Sequence, residues 1–439
     1  MEQIPGDPTW TRLEKALSAS QAQTVLLTAP PRARWTAVLR ATEATLSRHR
    51  TVLLVFPELA RAAAVAGMLN PRWGNRIAFL HGELSVAARA QAWDQVRAGS
   101  AEVVVGTRSA IFAPIQGLGL IYIDDEEDPL LKEEREPHYH ARDVGKLRAQ
   151  LEQAMLVLGS SHPSLDTLAT LEPELLVQPS DFRARAASWV TDAKSTPVIE
   201  PVDLRGLPYR TQLSEPMIDG IQAALRARSG SVLFLNRRGF ATALICRDCG
   251  AAPRCNRCDV SLTLHRQTRQ LLCHYCGVAR TPSDTCPSCQ AIRLEPVGFG
   301  TERIEEELRD LFPNARVGRL DRDAAGRPGQ ADAIRRQLSA GGLDILIGTQ
   351  MLFQGSPLPK VGFVGLPLAD AGLHLPDFRA AERTYHVLLD AVGLARPTEE
   401  GGHVVLQTFL PTHHAIAAVI SRTPGIFYAD ELAFRKALG

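Results

Sequence analysis

The chain has 439 residues, with 49 Lys+Arg against 48 Asp+Glu for a formal charge of +1, and 45% of it is apolar. That length predicts two or three domains with cores of their own, and 22% charged residues is too few for a solvated disordered chain. The longest apolar runs, such as Val52–Phe56 and Val103–Gly106, are a handful of residues where a membrane span needs about 20, so no transmembrane helix is expected. The amino terminus, MEQIPGDPTW, has an early Glu, two Pro and no apolar centre. It does not read as a secretory signal, and a cytoplasmic location is expected.

In chain order, the apolar and β-branched runs Thr24–Thr28, Thr51–Phe56, Ile77–Leu80, Glu102–Gly106, Leu120–Ile123 and Met155–Gly159 read as strands. Ala-, Arg- and Leu-rich stretches between them, such as Glu58–Leu69 and Ser85–Ala98, read as helices. Such alternation predicts an α/β lobe with a parallel sheet and functional loops at the carboxyl ends of its strands. Residues 171–216 carry more Pro and less periodicity and read as a connector. A second alternating block follows, with strands at Ser231–Leu235, Arg316–Leu320, Asp344–Ile347, Val361–Leu366 and His403–Thr408, and helices such as Glu302–Leu311 and Ala331–Leu338. The expected organisation is a first lobe over 1–170, the connector over 171–216, and a second lobe over 217–439 interrupted by a metal-binding module at 241–292.

That module holds all eight Cys, as the pairs Cys246/Cys249, Cys255/Cys258, Cys273/Cys276 and Cys286/Cys289. Eight thiolates in C-x-x-C turns make two tetrahedral Cys₄ zinc sites, although spacing alone leaves open whether the pairs close sequentially, in alternation or nested. From Cys246 to Cys289 there are six Arg and three Asp, an apparent +3. Eight thiolates with two Zn²⁺ add −4 and leave the module at about −1, so any basic face depends on where the arginines sit. With both sites completed by Cys, His265 and His274 are expected outside the ligand sets.

Nucleotide chemistry is the next question. The first strand is followed by APPRARWTAVL, with none of the glycines or the Lys of G-x-x-x-x-G-K-[ST]. Pro30 and Pro31 remove backbone N–H donors, and only six residues of the chain are Lys, none of them in this turn. The acidic run Asp124 to Asp128 after Leu120–Ile123 reads either as a Mg²⁺ site with a water-orienting carboxylate or as a solvated acidic loop. Without a phosphate cradle the solvated loop is the expectation.

Long runs of the sequence resemble one family. GTRSAIFAP (Gly106–Pro114), YHARDV (Tyr139–Val144), FLNRRGF (Phe234–Phe240), the series of four cysteine pairs, GTERIEEEL (Gly300–Leu308), ILIGTQM (Ile345–Met351), LHLPDFRAAER (Leu373–Arg383) and QTFLPTHHA (Gln407–Ala415) are similar to the PriA, or primosomal protein N′, family of replication-restart proteins. The resemblance implies two RecA-like helicase lobes of superfamily 2, binding to forked or single-stranded DNA, and primosome partners that load the replicative helicase. It implies nested zinc pairing, with Cys246, Cys249, Cys286 and Cys289 on one ion and Cys255, Cys258, Cys273 and Cys276 on the other. It leaves the family's amino-terminal DNA-binding regions and its carboxyl-terminal domain without a counterpart in this sequence.

The departures from the family concentrate on ATP. Ala29–Thr36 stands where the family has its P-loop, with Trp35 at the position of the phosphate-binding Lys and Thr36 beside it. Asp124-Asp125-Glu126-Glu127 replaces D-E-E-H, and Gly159-Ser160-Ser161-His162-Pro163 replaces G-S-A-T-P. Gln354-Gly355-Ser356 replaces K-G-H, and Leu394 and Pro397 fall on two arginine positions of the last motif. An arginine finger alone is worth about 10³–10⁵ in rate, so the loss of cradle, Lys and arginines together predicts no ATPase or unwinding activity. The expectation is a replication-restart protein that binds forked or single-stranded DNA with two Zn²⁺ and without ATP–Mg²⁺ turnover, cytoplasmic and associated with the nucleoid. Arg108, Arg237 and Arg238, each following a strand, are the candidate phosphate contacts. The alternatives are an active 3′–5′ helicase and a zinc-dependent protein-interaction scaffold.

Overall fold

A computed structural model describes residues 13–14, 17, 22–29, 31–170, 176–177, 196–208, 212–236, 242–258, 260–265, 268–297, 300–327, 329–375 and 377–438. The chain divides into two compact units, Met1–Ala187 and Ser188–Gly439.

The first unit is built on a parallel sheet of seven strands: β1 (Gln23–Thr28), β2 (Thr51–Val55), β3 (Ile77–Leu80), β4 (Val103–Gly106), β5 (Leu118–Ile123), β6 (Met155–Ser160) and β7 (Leu176–Val177). Their order across the sheet is β3-β4-β2-β5-β6-β1-β7. The inner strands are runs of Val, Leu and Ile because both faces are covered, and the core clusters on the two faces draw on alternate residues of the same strand. Val52 and Leu54 belong to one cluster, Leu53 and Val55 to the other. The helices Pro31–Leu46, Leu59–Trp73, Val86–Arg97 and Ala141–Glu152 supply the covering layers. β1 and β5 flank β6, so the loops leaving their carboxyl ends meet above the end of β6.

The second unit holds a parallel sheet of six strands, from β8 (Val198–Asp203), β9 (Ser231–Phe234), β15 (Val317–Leu320), β16 (Ile345–Gly348), β17 (Phe363–Leu366) and β18 (His403–Thr408), in the order β15-β16-β9-β17-β18-β8. Between β9 and β15 the chain leaves to form a separate antiparallel sheet of five short strands: β10 (Thr242–Cys246), β11 (Thr263–His265), β12 (Gln270–Leu272), β13 (Ala279–Arg280) and β14 (Leu294–Val297). This is the cysteine module. Two parallel α/β sheets and a cysteine-rich insertion in the second are as the sequence predicts.

One stretch read as connector turns out otherwise. Val198–Asp203 pairs with β18 along its whole length and closes the second sheet. Pro201 sits within it opposite Leu406, a position that an edge strand tolerates because one side of its backbone has no ladder to supply. Half-exposed and carrying Pro, the segment lacks the apolar run that marks the inner strands.

Candidate functional site

The turn after β1 is the first place to look for phosphate chemistry. Only residues 29 and 30 separate Thr28 from the helix that starts at Pro31, where Pro needs no N–H and its fixed φ suits the first turn. Ala29 N–H donates to the Ser160 carbonyl, 3.1 Å away. Trp35 packs against the apolar cluster beneath the helix and Thr36 lies exposed, so neither addresses the space above the sheet.

Arg34 does. Its side chain is fully buried, with Nη2 2.5 Å from Asp125 Oδ1 and 3.4 Å from Asp124 Oδ1, and Nη1 3.2 Å from Ser161 Oγ. Arg61, from the helix Leu59–Trp73, completes the set with Nη2 2.8 Å from Asp124 Oδ2 and Nη1 2.5 Å from Asp125 Oδ2. Two carboxylates and two guanidinium groups, four charges that sum to zero, close on one another at the carboxyl ends of β1 and β5. Tyr122 donates its hydroxyl to Asp124 from below. Gly159 on β6 makes room for that ring, since a Cβ there would stand 2.4 Å from the Tyr122 oxygen.

The ionisation states follow from this geometry. Burial works against the Arg34 charge, but Asp125 and Asp124 hold the guanidinium protonated and raise its pKa. Burial likewise opposes the Asp125 charge, yet Arg34 and Arg61 outweigh it and hold the carboxyl below the usual range. Asp124 moves the other way, raised by burial and by Asp125. Glu127 is raised well above an ordinary carboxyl by burial and by Asp125 and Glu126.

The expectation of a solvated acidic loop is therefore wrong. Asp124 and Glu126 are buried, and Glu126 accepts from Ser164 N–H at 2.7 Å, Ser164 Oγ at 2.9 Å, Thr167 Oγ1 at 2.8 Å and Arg142 Nη1 at 2.8 Å. Buried carboxylates persist when paired and hydrogen-bonded, and here the partners come from as far as 91 positions along the chain. Sequence spacing does not show such pairs. The available signal was Arg34 itself, a cation in a helix whose neighbours Ala37 and Val38 are core residues.

Arg108 is engaged by its own unit: Nη1 lies 2.9 Å and 2.6 Å from the Leu130 and Lys132 carbonyls, and Nη2 2.6 Å from Glu133 Oε2. Arg237 and Arg238 lie outside the described residues.

In the cysteine module, β10 carries Cys246 to its end and β14 runs antiparallel beside it, while the β11–β12 hairpin delivers Cys273. Each pair closes a tight turn. The amides of Gly250, Gly277 and Gln290 donate to the carbonyls of Cys246, Cys273 and Cys286, and these three residues have φ of +77°, +70° and +62°. Gly250 is required twice over, for its left-handed backbone and because a Cβ would stand 2.5 Å from the Phe409 carbonyl of the same unit.

The sulfurs gather as Cys246, Cys249, Cys286 and Cys289, and as Cys255, Cys258, Cys273 and Cys276, each set within 4.8 Å. The Cys246–Cys289, Cys249–Cys286 and Cys255–Cys276 sulfurs are 3.6, 3.7 and 3.7 Å apart. A Zn–S bond of about 2.3 Å implies tetrahedral S···S edges of about 3.8 Å, so both donor sets fit one Zn²⁺ each. Within the second set the thiols are unequal: the amides of Arg257 and Cys258 pull Cys255 down to about 7, and the hydrogen bond with Cys276 pushes Cys258 up to about 12. His265 and His274 stand apart from both sets and face each other, Nε2 to Nε2, at 3.4 Å.

Residues 255–280 match the PriA DNA helicase Cys-rich region (CRR) domain. Over 401 residues, 91% of this chain, the sequence is 35% identical to the replication restart protein PriA of Bacillus subtilis and 38% identical to that of Treponema pallidum. The chain is thus similar to PriA proteins over most of its length. It spans 49% and 60% of the length of those two PriA relatives. Among solved structures it is similar to the DUF1998 helicase MrfA bound to DNA and AMPPNP, with a TM-score of 0.51 at 14% identity over 96% of this chain and 50% of that one. That likeness is one of fold, and it matches the helicase-like lobes expected of PriA. No helix among the described residues is long and apolar enough to cross a membrane.

Proposed function

We propose that this PriA-like chain binds forked or single-stranded DNA during replication restart, carries two structural Zn²⁺ ions, and neither hydrolyses ATP nor unwinds DNA. The observation that carries the reading is the closed set Arg34, Arg61, Asp124 and Asp125. Carboxylates at the end of a helicase strand serve ATP by facing Mg²⁺, and these face guanidinium groups of their own chain. A cation brought to Asp124 and Asp125 has to displace two arginines, one of them fully buried, and no described backbone amide cradle rewards the exchange.

Zinc, when bound, supplies the positive charge that lets four thiolates approach one another. Cys246, Cys249, Cys286 and Cys289 hold one ion, and Cys255, Cys258, Cys273 and Cys276 the other. DNA contact falls to Arg237 and Arg238, while Arg108 reaches a phosphate only by leaving Glu133. Primosome proteins and the loader of the replicative helicase are the partners, in the cytoplasm at the nucleoid.

Binding of labelled forked DNA, followed by anisotropy as salt is raised, together with ATP hydrolysis on the same sample, tests this reading. The expected result is binding that weakens steeply with salt as phosphate contacts release counterions, with no DNA-stimulated hydrolysis. Salt-independent binding or none overturns the DNA assignment, and stimulated hydrolysis overturns the loss of turnover.

A further inference from the structure

The second unit contains a cavity of about 610 Å³ between the cysteine module and the loops that follow β17 and β18. The module contributes Arg254 and Arg280, and the loops contribute His374 and His413. Among the described residues none of the side chains lining it is acidic. Leu262, Leu271, Leu373 and Leu410 form its apolar wall, and Asn256, which accepts from Arg280 at 3.0 Å, sits among the polar groups.

His374 is the decisive member. Its side chain is 6% exposed, and its buried Nε2 has no hydrogen-bond partner, with Asp370 Oδ2 standing 4.0 Å away. A buried polar atom without a partner is costly and calls for a reason. The module as a whole is close to neutral once its thiolates hold zinc, so the cationic lining of this one recess is a local arrangement of residues and not a by-product of net charge.

We propose that this cavity is a binding site for a nucleoside phosphate, with the phosphate met by Arg254, Arg280 and the two histidines and the base and sugar held against the leucine wall. Its volume suits that class: small-molecule sites run to roughly 300–1,000 Å³ with mostly apolar walls and a few convergent polar groups. Bare phosphate would leave the leucine wall unused. Arginine is suited to bidentate contact with phosphate oxygens. The inference goes beyond the proposed function and does not depend on it, because the cavity shares no residue with the Arg34–Asp125 cluster.

The test is titration of the zinc-loaded full chain with thymidine 5′-monophosphate, without added Mg²⁺, beside titration with a short oligonucleotide bearing a terminal phosphate. Arg280→Ala, at an exposed position of the module, and Ser283→Trp, which fills the cavity from its rim, are compared with the parent at two zinc ions per chain. Saturable binding by the parent that weakens at least tenfold in both variants supports the site. Within that result, an oligonucleotide that competes with the monophosphate identifies the source as a strand end, and one that does not identifies it as free nucleotide. Absence of binding to either probe at millimolar concentration, or affinity unchanged in both variants, overturns the proposal. Separate titrations of Arg34 variants leave this readout untouched, so a failure here is distinguishable from a failure of the reading of the first unit.

Discussion

Two clusters of ionisable groups dominate this chain, and they solve the same electrostatic problem in opposite ways. At the carboxyl ends of β1 and β5, Asp124 and Asp125 meet Arg34 and Arg61, so the cluster is neutralised by residues the fold itself brings in. In the cysteine module each set of four sulfurs has no cation of the chain among its members, and closing it as thiolates requires a metal. The difference teaches where an external cation belongs: in the cluster that has none of its own.

The largest expected effect tests the second half of that comparison. Structural zinc contributes about 10–16 kcal/mol of apparent folding free energy in small modules, so removing one ligand at a buried position should cost an ion outright. Cys273→Ser is predicted to lower zinc content from two ions to one, measured by atomic emission on protein freed of loose metal. Two ions retained in that variant would break the assignment of Cys273 to a four-sulfur set.

The next effect sharpens the first half. Arg34→Ala leaves Asp124 and Asp125 to share one guanidinium, that of the partly exposed Arg61, for two buried carboxylates. Breaking a buried pair from one side costs about 3–5 kcal/mol, whereas removing both members is far milder. Urea unfolding of Arg34→Ala should show that loss, and Arg34→Met combined with Asp125→Asn should recover most of it. A loss below about 1 kcal/mol in the single variant would mean that the four charges do not act as a unit.

How much of this was legible beforehand differs between the two clusters as well. The inner strands were visible as apolar runs, and Ile77–Leu80 and His403–Thr408 have the bounds the sequence suggested. The cysteine pairs announced themselves by spacing, because a C-x-x-C turn is a local object. The edge strand Val198–Asp203 was not visible, since half-exposed residues and Pro201 break the alternation that marks a strand. The Arg34–Asp125 pairing was not visible either, because it depends on β1 and β5 flanking β6, which is a property of topology and not of any window of sequence.

A smaller effect concerns the groups around the cavity of the second unit. Burial pushes His374 and His413 down to about 4, whereas unfolded imidazoles take up protons below about pH 6.5. Unfolding therefore binds two protons across that window, and stability falls as pH drops through it. Asp370, pushed up to about 6 by burial, opposes this, because its folded carboxyl keeps a proton that the unfolded one releases above about pH 4. The net uptake from these three groups is about one proton, or ~1.4 kcal/mol per pH unit between pH 6 and 4. Relative to the parent, His374→Gln should remove that slope and Asp370→Asn should steepen it by the same amount, read from urea midpoints at matched zinc content. Identical slopes in all three proteins would contradict the assigned protonation states.

The most direct test of the account is calorimetric titration of the zinc-loaded chain with ATP–Mg²⁺, repeated on Asp124→Asn. The account predicts no saturable heat attributable to the turn after β1, and hence the same trace for parent and variant, because the carboxylates that would receive the metal already hold Arg34 and Arg61. Saturable binding by the parent that Asp124→Asn abolishes would show that this cluster opens to a nucleotide and would overturn it.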